Sequence, residues 1–369
     1  MDSFSFLRFI LALNLVLGGH FCFGQAQIRL IHQLDAPLTE CSGLIEIGGH
    51  FIMHNDSGDS PTLYVIDTLN GSVARQVSIN NAEHIDWEDI CHDEDYIYIS
   101  DTGNNFGIRT DLKIYKISIN DFLFADQVEA EIIHIAYADQ TDFSGENAQH
   151  NFDAEALISI DNSLYLFSKN RGDFRTNIYP IPKESGTYII EKTQSLASQG
   201  LITGATYIAE YNMVILTGLT STNAFIIKLS ELNGNDFDGA NFQRYGLEMN
   251  NSHQIESIAW KGGNRFISAT EGNGDGGPAL YCIQLDLPSP VIENADSSPI
   301  PIFPNPFTDQ LYIDYSFETE VFFYNSFGQL ELISKEKTID TSMLSNGLYW
   351  TRIEDRHKRI LKSGILIKM

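Results

Sequence analysis

Residues 153–169 read DAEALISIDNSLYLFSK: a short apolar run, a turn of Asp, Asn and Ser, and a second, more strongly apolar run. Residues 86–101 read DWEDICHDEDYIYISD and have the same organisation. Short runs that are rich in β-branched and aromatic residues and bounded by turn residues are typical of β-strands. Each stretch therefore predicts a tight β-hairpin with polar residues at both ends.

The hairpin recurs five times between residues 27 and 287, each time with a third apolar run after it. First strands are predicted at 42–44, 86–90, 153–157, 203–205 and 254–258. Second strands are predicted at 51–54, 96–100, 164–168, 213–217 and 265–270, and third strands at 63–66, 113–117, 177–181, 224–227 and 279–283. Units of about 45 to 67 residues with several strands each are what β-propeller blades require, because one such sheet buries both faces only against its neighbours.

We therefore predict an all-β chain, with a five-bladed β-propeller at 27–287 followed by a small antiparallel β-sandwich at 301–369. Residues 27–34 precede the first repeat and are predicted to complete the last blade, which would close the ring and remove free sheet edges. Two alternatives stay open. A sixth blade could lie within residues 122–150, and two stacked β-sandwiches could replace the propeller.

The N-terminus predicts export. Residues 1–8 carry one basic side chain, and residues 9–23 are an almost unbroken apolar run. The run is shorter than the roughly 20 residues of a spanning helix, and small residues follow at Gly24 and Ala26, as in a cleavable signal peptide. We predict a signal peptide at 1–26 and no transmembrane segment in the mature chain. An uncleaved anchor or a lipoprotein attached through Cys22 is the alternative.

Charge and cysteine content narrow the function further. The chain has 23 basic and 49 acidic residues, a net charge of -26, and residues 301–369 hold nine acidic and eight basic ones, so the acidity belongs to the large domain. Such a surface repels nucleic acid, although the charge could serve solubility alone.

Cys41, Cys91 and Cys282 lie in apolar runs without metal-type spacing. They allow at most one disulfide and predict buried thiols rather than nucleophiles.

In a propeller blade the start of the first strand and the end of the second meet on the same rim. Glu88 and Asp101 are 13 residues apart, a spacing that fits a tight hairpin whose ends converge. The residues predicted to form a metal site at this rim are Asp86, Glu88, Asp153, Glu155, Glu256 and Glu271. The residues predicted to bind a ligand beside them are Asp56, Asp101, Asn105, Lys169 and Arg171.

Clustered carboxylates suit Ca²⁺, which takes six to eight oxygen ligands and would relieve their mutual repulsion. Loops 56–60, 101–105 and 271–275 also mix oxygen donors with glycine, although none has EF-hand spacing. Calcium is therefore the one cofactor that the sequence suggests. The alternative is structural, with each Glu capping backbone amides of an adjacent blade and each loop forming ordinary turns.

The strand starts that read Asp-x-Glu or Gln-x-Glu resemble those of phytase-like propellers, in which a carboxylate-lined face supports calcium and phosphate chemistry. The resemblance covers these starts only, and the fourth repeat has Thr203-Gly204-Ala205 instead. It implies a calcium-dependent phosphoesterase as the alternative function. Glu88 and Asp86 could also serve as acid and base on a glycan.

The C-terminal region begins after a Pro- and Ser-rich linker at 288–300, a composition typical of extended segments. Four motifs follow in order: Pro-Asn-Pro-Phe at 304–307, Tyr-Asn-x-x-Gly-Gln at 324–329, Asn-Gly-Leu-Tyr at 346–349, and basic residues near the end. They resemble the sorting domain of the Bacteroidetes type IX secretion system. The resemblance implies contact with that machinery, passage across the outer membrane, and release or surface attachment. A carbohydrate-binding or fibronectin-like module is the alternative.

Together these features predict a secreted or cell-surface propeller that binds a ligand at one acidic rim, with calcium as the candidate ion. The sequence leaves open whether the rim binds only or also catalyses.

Deletion of residues 301–369 should leave the propeller region folded but retained in the periplasm, because the linker separates two cores. Cell fractionation and circular dichroism would check this. As a control, charged residues in place of the apolar run 9–23 should hold the whole chain in the cytoplasm. Normal secretion of the truncated chain would contradict the prediction.

Overall fold

The computed structural model describes residues 23–34, 36–248, 253–272, 277–287, 300–314, 319–325, 329–355 and 360–369. The chain forms two compact units, residues 1–287 and residues 288–369. Of the predicted signal peptide, residues 1–22 lie outside the described residues, as do residues 288–299 of the predicted linker. Strands dominate both units, so the all-β class is confirmed.

The first unit contains 24 strands in its described residues, together with the α-helix α1 (Ile119–Phe124) and a 3-10 helix at Ala209–Tyr211. The strands are β1 (Phe23–Gln25), β2 (Gln27–Gln33), β3 (Cys41–Ile47), β4 (His50–Asn55), β5 (Thr62–Ile66), β6 (Val73–Ile79), β7 (Trp87–His92), β8 (Tyr96–Asp101), β9 (Lys113–Ser118), β10 (Gln127–Val128), β11 (Glu131–Tyr137), β12 (Ala154–Ile160), β13 (Ser163–Ser168), β14 (Thr176–Pro182), β15 (Gly186–Ile190), β16 (Gln194–Leu196), β17 (Leu201–Ile208), β18 (Met213–Leu219), β19 (Ala224–Ser230), β20 (Asn241–Leu247), β21 (His253–Ile255), β22 (Ala259–Trp260), β23 (Arg265–Gly272) and β24 (Ala279–Gln284).

These strands form five sheets within the described residues, and we number the sheets in chain order. Sheet I has the order β10-β6-β5-β4-β3, sheet II β15-β11-β9-β8-β7, sheet III β12-β13-β14-β16, and sheet IV β1-β20-β19-β18-β17. Sheet V has the order β2-β24-β23-β21, and β22 also pairs with β23. In every sheet the predicted first, second and third strands are antiparallel neighbours, so the three-strand repeat is present in all five.

The N-terminal segment joins two sheets. Strand β2 pairs antiparallel with β24, from Gln27 opposite Gln284 to Gln33 opposite Ala279, so residues 27–34 join the sheet of the last repeat. Strand β1 pairs in parallel with β20 of sheet IV. Of the residues in which a sixth blade was considered, β11 is the fourth strand of sheet II and β10 extends sheet I.

Apolar cores lie between consecutive sheets. In the described residues one core joins each of the pairs I/II, II/III, III/IV, IV/V and V/I. The first strands of the sheets also contact one another in this order: β3 with β7, β7 with β12, β12 with β17, β17 with β22, and β22 with β3. Each sheet therefore buries both of its faces against neighbours, as the repeat requires.

Four of the inner strands carry an irregularity at the same place. The pairing register shifts between Cys41 and Leu44 in β3, Trp87 and Ile90 in β7, Ala154 and Ala156 in β12, and Ile202 and Gly204 in β17. Such bulges redirect side chains and are frequent beside functional sites. In β7 the register shift spans the consecutive residues Glu88 and Asp89, both of which are buried.

Asp89 links three of the inner strands. Its Oδ2 accepts hydrogen bonds from the amides of Leu157 in β12 (2.8 Å) and Ala205 in β17 (3.2 Å). Its Oδ1 accepts from the amide of Ile90 (2.9 Å). Burial raises the pKa of Asp89 well above its usual range, and the three amide donors oppose that rise. A carboxylate fits this place because it offers acceptors only.

The second unit is a small β-sandwich whose strands in the described residues are β25 (Ile302–Phe303), β26 (Gln310–Ile313), β27 (Thr319–Tyr324), β28 (Leu330–Ser334), β29 (Thr338–Asp340), β30 (Gly347–Asp355) and β31 (Ile360–Lys368). They form the antiparallel sheets β25-β26-β29 and β28-β27-β30-β31. Both sheets contribute to one core, represented by Leu311 and Ile339 from the first and by Val321, Phe323 and Ile353 from the second.

Two further sequence expectations concern membranes and cysteines. Helix α1 has six residues, and the described chain offers no helix that is long and apolar enough to cross a membrane. Cys41 and Cys91 are buried and Cys282 is partly buried, all as free thiols. Burial raises the pKa of Cys41 to about 12, which disfavours a reactive thiolate.

Replacement of Asp89 by asparagine should destabilise the first unit by about 3 kcal/mol or more, because hydrogen bonds to a charged acceptor are lost and the new NH₂ group faces amide donors. Chemical denaturation monitored by fluorescence would measure this. Asp95→Asn, at an exposed position of the next turn, is the matched control and should change stability little. Equal stability of the two variants would contradict the linking role of Asp89.

Candidate functional site

The candidate site is a group of carboxylates at the starts of inner strands and the ends of second strands. Carboxylate oxygens of Asp56, Asp86 and Glu88 lie within 4.8 Å of one another, and so do those of Glu88, Asp153 and Glu155. Glu88 belongs to both groups. The structure thus brings five of the predicted site residues together around one glutamate.

One side of this cluster is neutralised by basic side chains. The Lys169 ammonium pairs with the Glu155 carboxylate, and the Arg171 guanidinium pairs with Asp153. Arg171 also donates from Nη2 to Asn105 Oδ1 at 2.6 Å. Lys169 and Arg171 therefore act first as counter-ions of predicted metal-site carboxylates, and Asn105 supports Arg171.

Asp101 is compensated in a similar way. Its Oδ1 lies 2.9 Å from Nη2 of Arg109 and accepts the amide of Asp86 at 3.2 Å. The Asp153 carboxylate likewise accepts a backbone amide, that of Asn104, at 2.7 Å. The structural alternative had each Glu capping backbone amides of an adjacent blade, and of these two aspartates only Asp153 accepts an amide from beside a neighbouring sheet, that of Asn104 after β8.

The other side of the cluster has no such partners. We call Asp56, Asp86 and Glu88 the acidic trio. Within the described part of the chain, none of the three forms an ion pair, and the hydrogen bonds found there do not reach the Glu88 carboxylate, although only 4% of this residue is exposed. Asp56 and Asp86 lie close enough that each contributes to the pKa shift of the other.

Two buried oxygens beside the trio lack a hydrogen-bond partner among the described residues: Oδ1 of Asp56 and Oδ2 of Asp101. Buried acceptors without partners are rare in folded proteins, because each loses its hydration without replacement. Asp101 already has Arg109 as its counter-ion, whereas Asp56 has no basic partner among the described residues.

The electrostatics of the cluster agree with this geometry. Burial, followed by the charge of Asp86, raises the pKa of Asp56 to about 9. Burial and the neighbouring carboxylates raise the pKa of Glu88 well above its usual range. Burial also raises the pKa of Glu155, but only to about 7, because Lys169 opposes the rise.

Glu256 and Glu271 lie on the same rim but outside both three-carboxylate groups. Glu271 accepts a hydrogen bond from Nε2 of Gln254 at 3.1 Å. Glu256 is buried, and burial raises its pKa well above the usual range while Lys169 opposes that rise. Of the residues predicted to bind metal, these two are therefore set apart from Asp86 and Glu88.

Gly103 allows the loop after β8 to close over the trio. A Cβ atom at this position would clash with the carboxylates of both Glu88 and Asp86. The Gly103 amide donates to the Asp86 carbonyl at 3.1 Å. Only glycine permits so close an approach of backbone to carboxylate.

Sequence reasoning missed Asp89, Gly103, Asn104 and Arg109. Asp89 lay within the quoted stretch 86–101, and Gly103 and Asn104 lay within loop 101–105, but no role was predicted for any of them. Arg109 had no recognisable signal, because it lies eight residues beyond the end of β8 and reaches Asp101 only through the fold of the loop.

The comparison with protein families identifies the second unit. Residues 301–368 match the family described as the secretion system C-terminal sorting domain, as the four motifs predicted. The chain therefore carries a type IX sorting domain and is secreted to the cell surface or the extracellular space, and its sorting tail interacts with the secretion machinery. The family covers the tail only.

The chain has distant structural likenesses to solved structures. PorZ of Porphyromonas gingivalis, described as an essential surface component of the type IX secretion system, shares 12% identity over 89% of this chain and 45% of its own, with a TM-score of 0.34. An exo-β-1,3-galactanase of Phanerochaete chrysosporium shares 9% identity over 82% of this chain and 84% of its own, with a TM-score of 0.43. Hydrazine synthase of Kuenenia stuttgartiensis shares 11% sequence identity over 64% of this chain and 57% of its own, with a TM-score of 0.34.

The chain spans less than half the length of PorZ, and scores this low carry no argument about fold or activity. No curated protein matches the chain.

In buffer free of divalent cations, the free energy of unfolding should fall as the pH rises from about 5 to about 9. The folded pKa values of Asp56 and Glu155 are raised, so the folded state holds more protons than the unfolded state in this window, and stability decreases with pH. Denaturant titrations at several pH values would measure the slope. Asp56→Asn should reduce the slope of the free energy of unfolding against pH, whereas Glu94→Gln, at an exposed position, should leave it unchanged. A free energy of unfolding that rises with pH would contradict the account.

Proposed function

We propose that the chain is a secreted five-bladed β-propeller that binds an extracellular ligand through a calcium ion held by the acidic trio. The observation that carries the proposal is the contrast within the cluster: Asp153, Glu155 and Asp101 each have a basic partner, whereas Asp56, Asp86 and Glu88 have none among the described residues.

The apolar cores between the sheets support the propeller. Each sheet shares one core with the sheet before it and one with the sheet after it, and sheet V shares a core with sheet I. Two stacked sandwiches would pair the sheets instead of giving each sheet two neighbours. The pairing of β2 with β24 supports ring closure by the N-terminal segment. Five sheets then correspond to five blades.

Cleavage of a signal peptide is part of the same proposal. A cut near Gly24 to Ala26 would remove some or all of β1 but leave β2 intact. Sheet V would therefore keep its outer strand in the exported chain.

Calcium fits the trio for two reasons. Carboxylate oxygens within 4.8 Å of one another can ligate one ion, and Ca²⁺ accepts oxygen ligands in flexible geometry. Its charge would also offset the repulsion among the carboxylates and so lower the raised pKa values of Asp56 and Glu88. Three carboxylates leave part of the coordination sphere to water and to oxygens of a ligand.

A calcium-dependent phosphoesterase is the second candidate, and one observation disfavours it. The basic side chains of the rim, Arg109, Lys169 and Arg171, each pair with a carboxylate, so a phosphate ester would have to break an existing ion pair. Calcium-dependent release of phosphate from p-nitrophenyl phosphate would support the esterase over a pure binding module.

Calcium should raise the melting temperature of the folded chain. Binding to the native state alone contributes about 2.7 kcal/mol at a hundredfold excess over the dissociation constant. Thermal scans with calcium and with chelator would measure the shift, which should shrink strongly in a Glu88→Gln, Glu155→Gln double variant and in Glu88→Gln alone.

Two controls separate the trio from the rest of the cluster. Glu155→Gln alone should retain most of the calcium shift, because Glu155 pairs with Lys169, and Glu94→Gln should retain all of it. A melting temperature that ignores calcium would refute the metal site.

A further inference from the structure

A recess in the first unit shares no lining residue with the acidic trio. It is a cavity of about 300 Å³, within the usual range for small-molecule sites. Residues 138–153, the long connection between β11 and β12, provide most of its lining. Connections longer than about 12 to 15 residues without secondary structure are usually functional.

The connection is fixed against the loop after β8. Nε2 of Gln140 donates to the carbonyl of Gly107 at 2.8 Å. The imidazole of His150 accepts the Phe152 amide at Nδ1 (3.2 Å) and therefore donates from Nε2 to the carbonyl of Asn105 (3.1 Å). A cavity held open by such bonds is preformed, which lowers the entropy lost on binding.

Half of the polar side chains in the lining are amides, and two of these, Asn147 and Asn151, are held by backbone donors. Oδ1 of Asn147 accepts the amide of Gln149 (3.0 Å), and Oδ1 of Asn151 accepts the amide of Gly172 (3.0 Å). These bonds fix the oxygen side of each amide and leave the NH₂ groups as donors. The carboxylates of Asp139 and Asp142 add acceptors.

The apolar part of the lining is aromatic. Phe106 is 67% exposed and Phe152 is half-buried. Because the Phe106 ring lines the cavity and keeps most of its surface exposed, it offers an apolar face that a ligand in the cavity could contact.

These features define a ligand class. Sugar hydroxyls both donate and accept hydrogen bonds, so they satisfy fixed amides and carboxylates together, and the C–H face of a pyranose packs on an aromatic ring. An anionic ligand would meet Asp139 and Asp142, while the lining offers one cation, Lys192, already 3.8 Å from Asp139. An apolar ligand would leave the amides without partners, which is unfavourable. We propose that this cavity binds a neutral saccharide.

The test uses the full exported chain on an array of neutral, sulfated and sialylated oligosaccharides, in the presence of chelator. We expect retention of neutral oligosaccharides, and a roughly tenfold loss of affinity in Phe106→Ala, in line with the energy of an aromatic contact. Phe124→Ala removes an aromatic side chain that is 78% exposed on α1 and outside the cavity, and should bind as the parent does.

Three outcomes would overturn the inference: no retention of any neutral oligosaccharide, retention of sulfated or sialylated ones only, or unchanged binding in Phe106→Ala. The chelator keeps this site apart from the acidic trio. Saccharide binding that requires calcium and resists Phe106→Ala would refute the cavity while supporting the ion site, whereas binding in chelator that is lost in Phe106→Ala would support the cavity whatever the trio does.

Discussion

The first unit depends on the hydrogen bonds of the Asp89 carboxylate. They join β7 to β12 and β17 through the amides of Leu157 and Ala205. These two donors lie 68 and 116 residues after Asp89 in the chain. A side chain that is buried and accepts three amides holds the inner strands in one register, because each of these amides would otherwise be buried without a partner. Ser100 supports the same point, since its hydroxyl bonds to both the amide and the carbonyl of Asp89.

The register shift in β7 spans Glu88 and Asp89, which have different partners. Glu88 lies among the clustered carboxylates, while Asp89 accepts hydrogen bonds from the neighbouring inner strands. The equivalent shift in β12, between Ala154 and Ala156, spans Glu155, which lies in the same cluster. Counter-ions then divide the cluster unequally: Lys169 and Arg171 pair with carboxylates on one side, whereas the acidic trio forms no ion pair among the described residues. Asp89, which links the inner strands, and Glu88, a member of the acidic trio, are therefore neighbours in one strand.

The sequence predicted what depends on local pattern. Strand alternation, turn residues and the sorting motifs are short-range signals, so the five repeats and the type IX tail followed from them, as did the meeting of Asp86 and Glu88 at one rim. Long-range contacts could not be predicted. The bulges, the reach of Arg109 to Asp101 and the parallel addition of β1 to β20 depend on segments that approach only in the folded chain.

The central claim is that the acidic trio is a cation site at one rim of a closed ring of sheets. A crystal structure of the full chain grown with calcium, with anomalous scattering recorded from a strontium-soaked crystal, tests it most directly. The account predicts an anomalous peak bonded to oxygens of Asp56, Asp86 and Glu88, with sheet V packed against sheet I. An absence of any peak, with the three carboxylates bonded to backbone amides of neighbouring sheets, would contradict it.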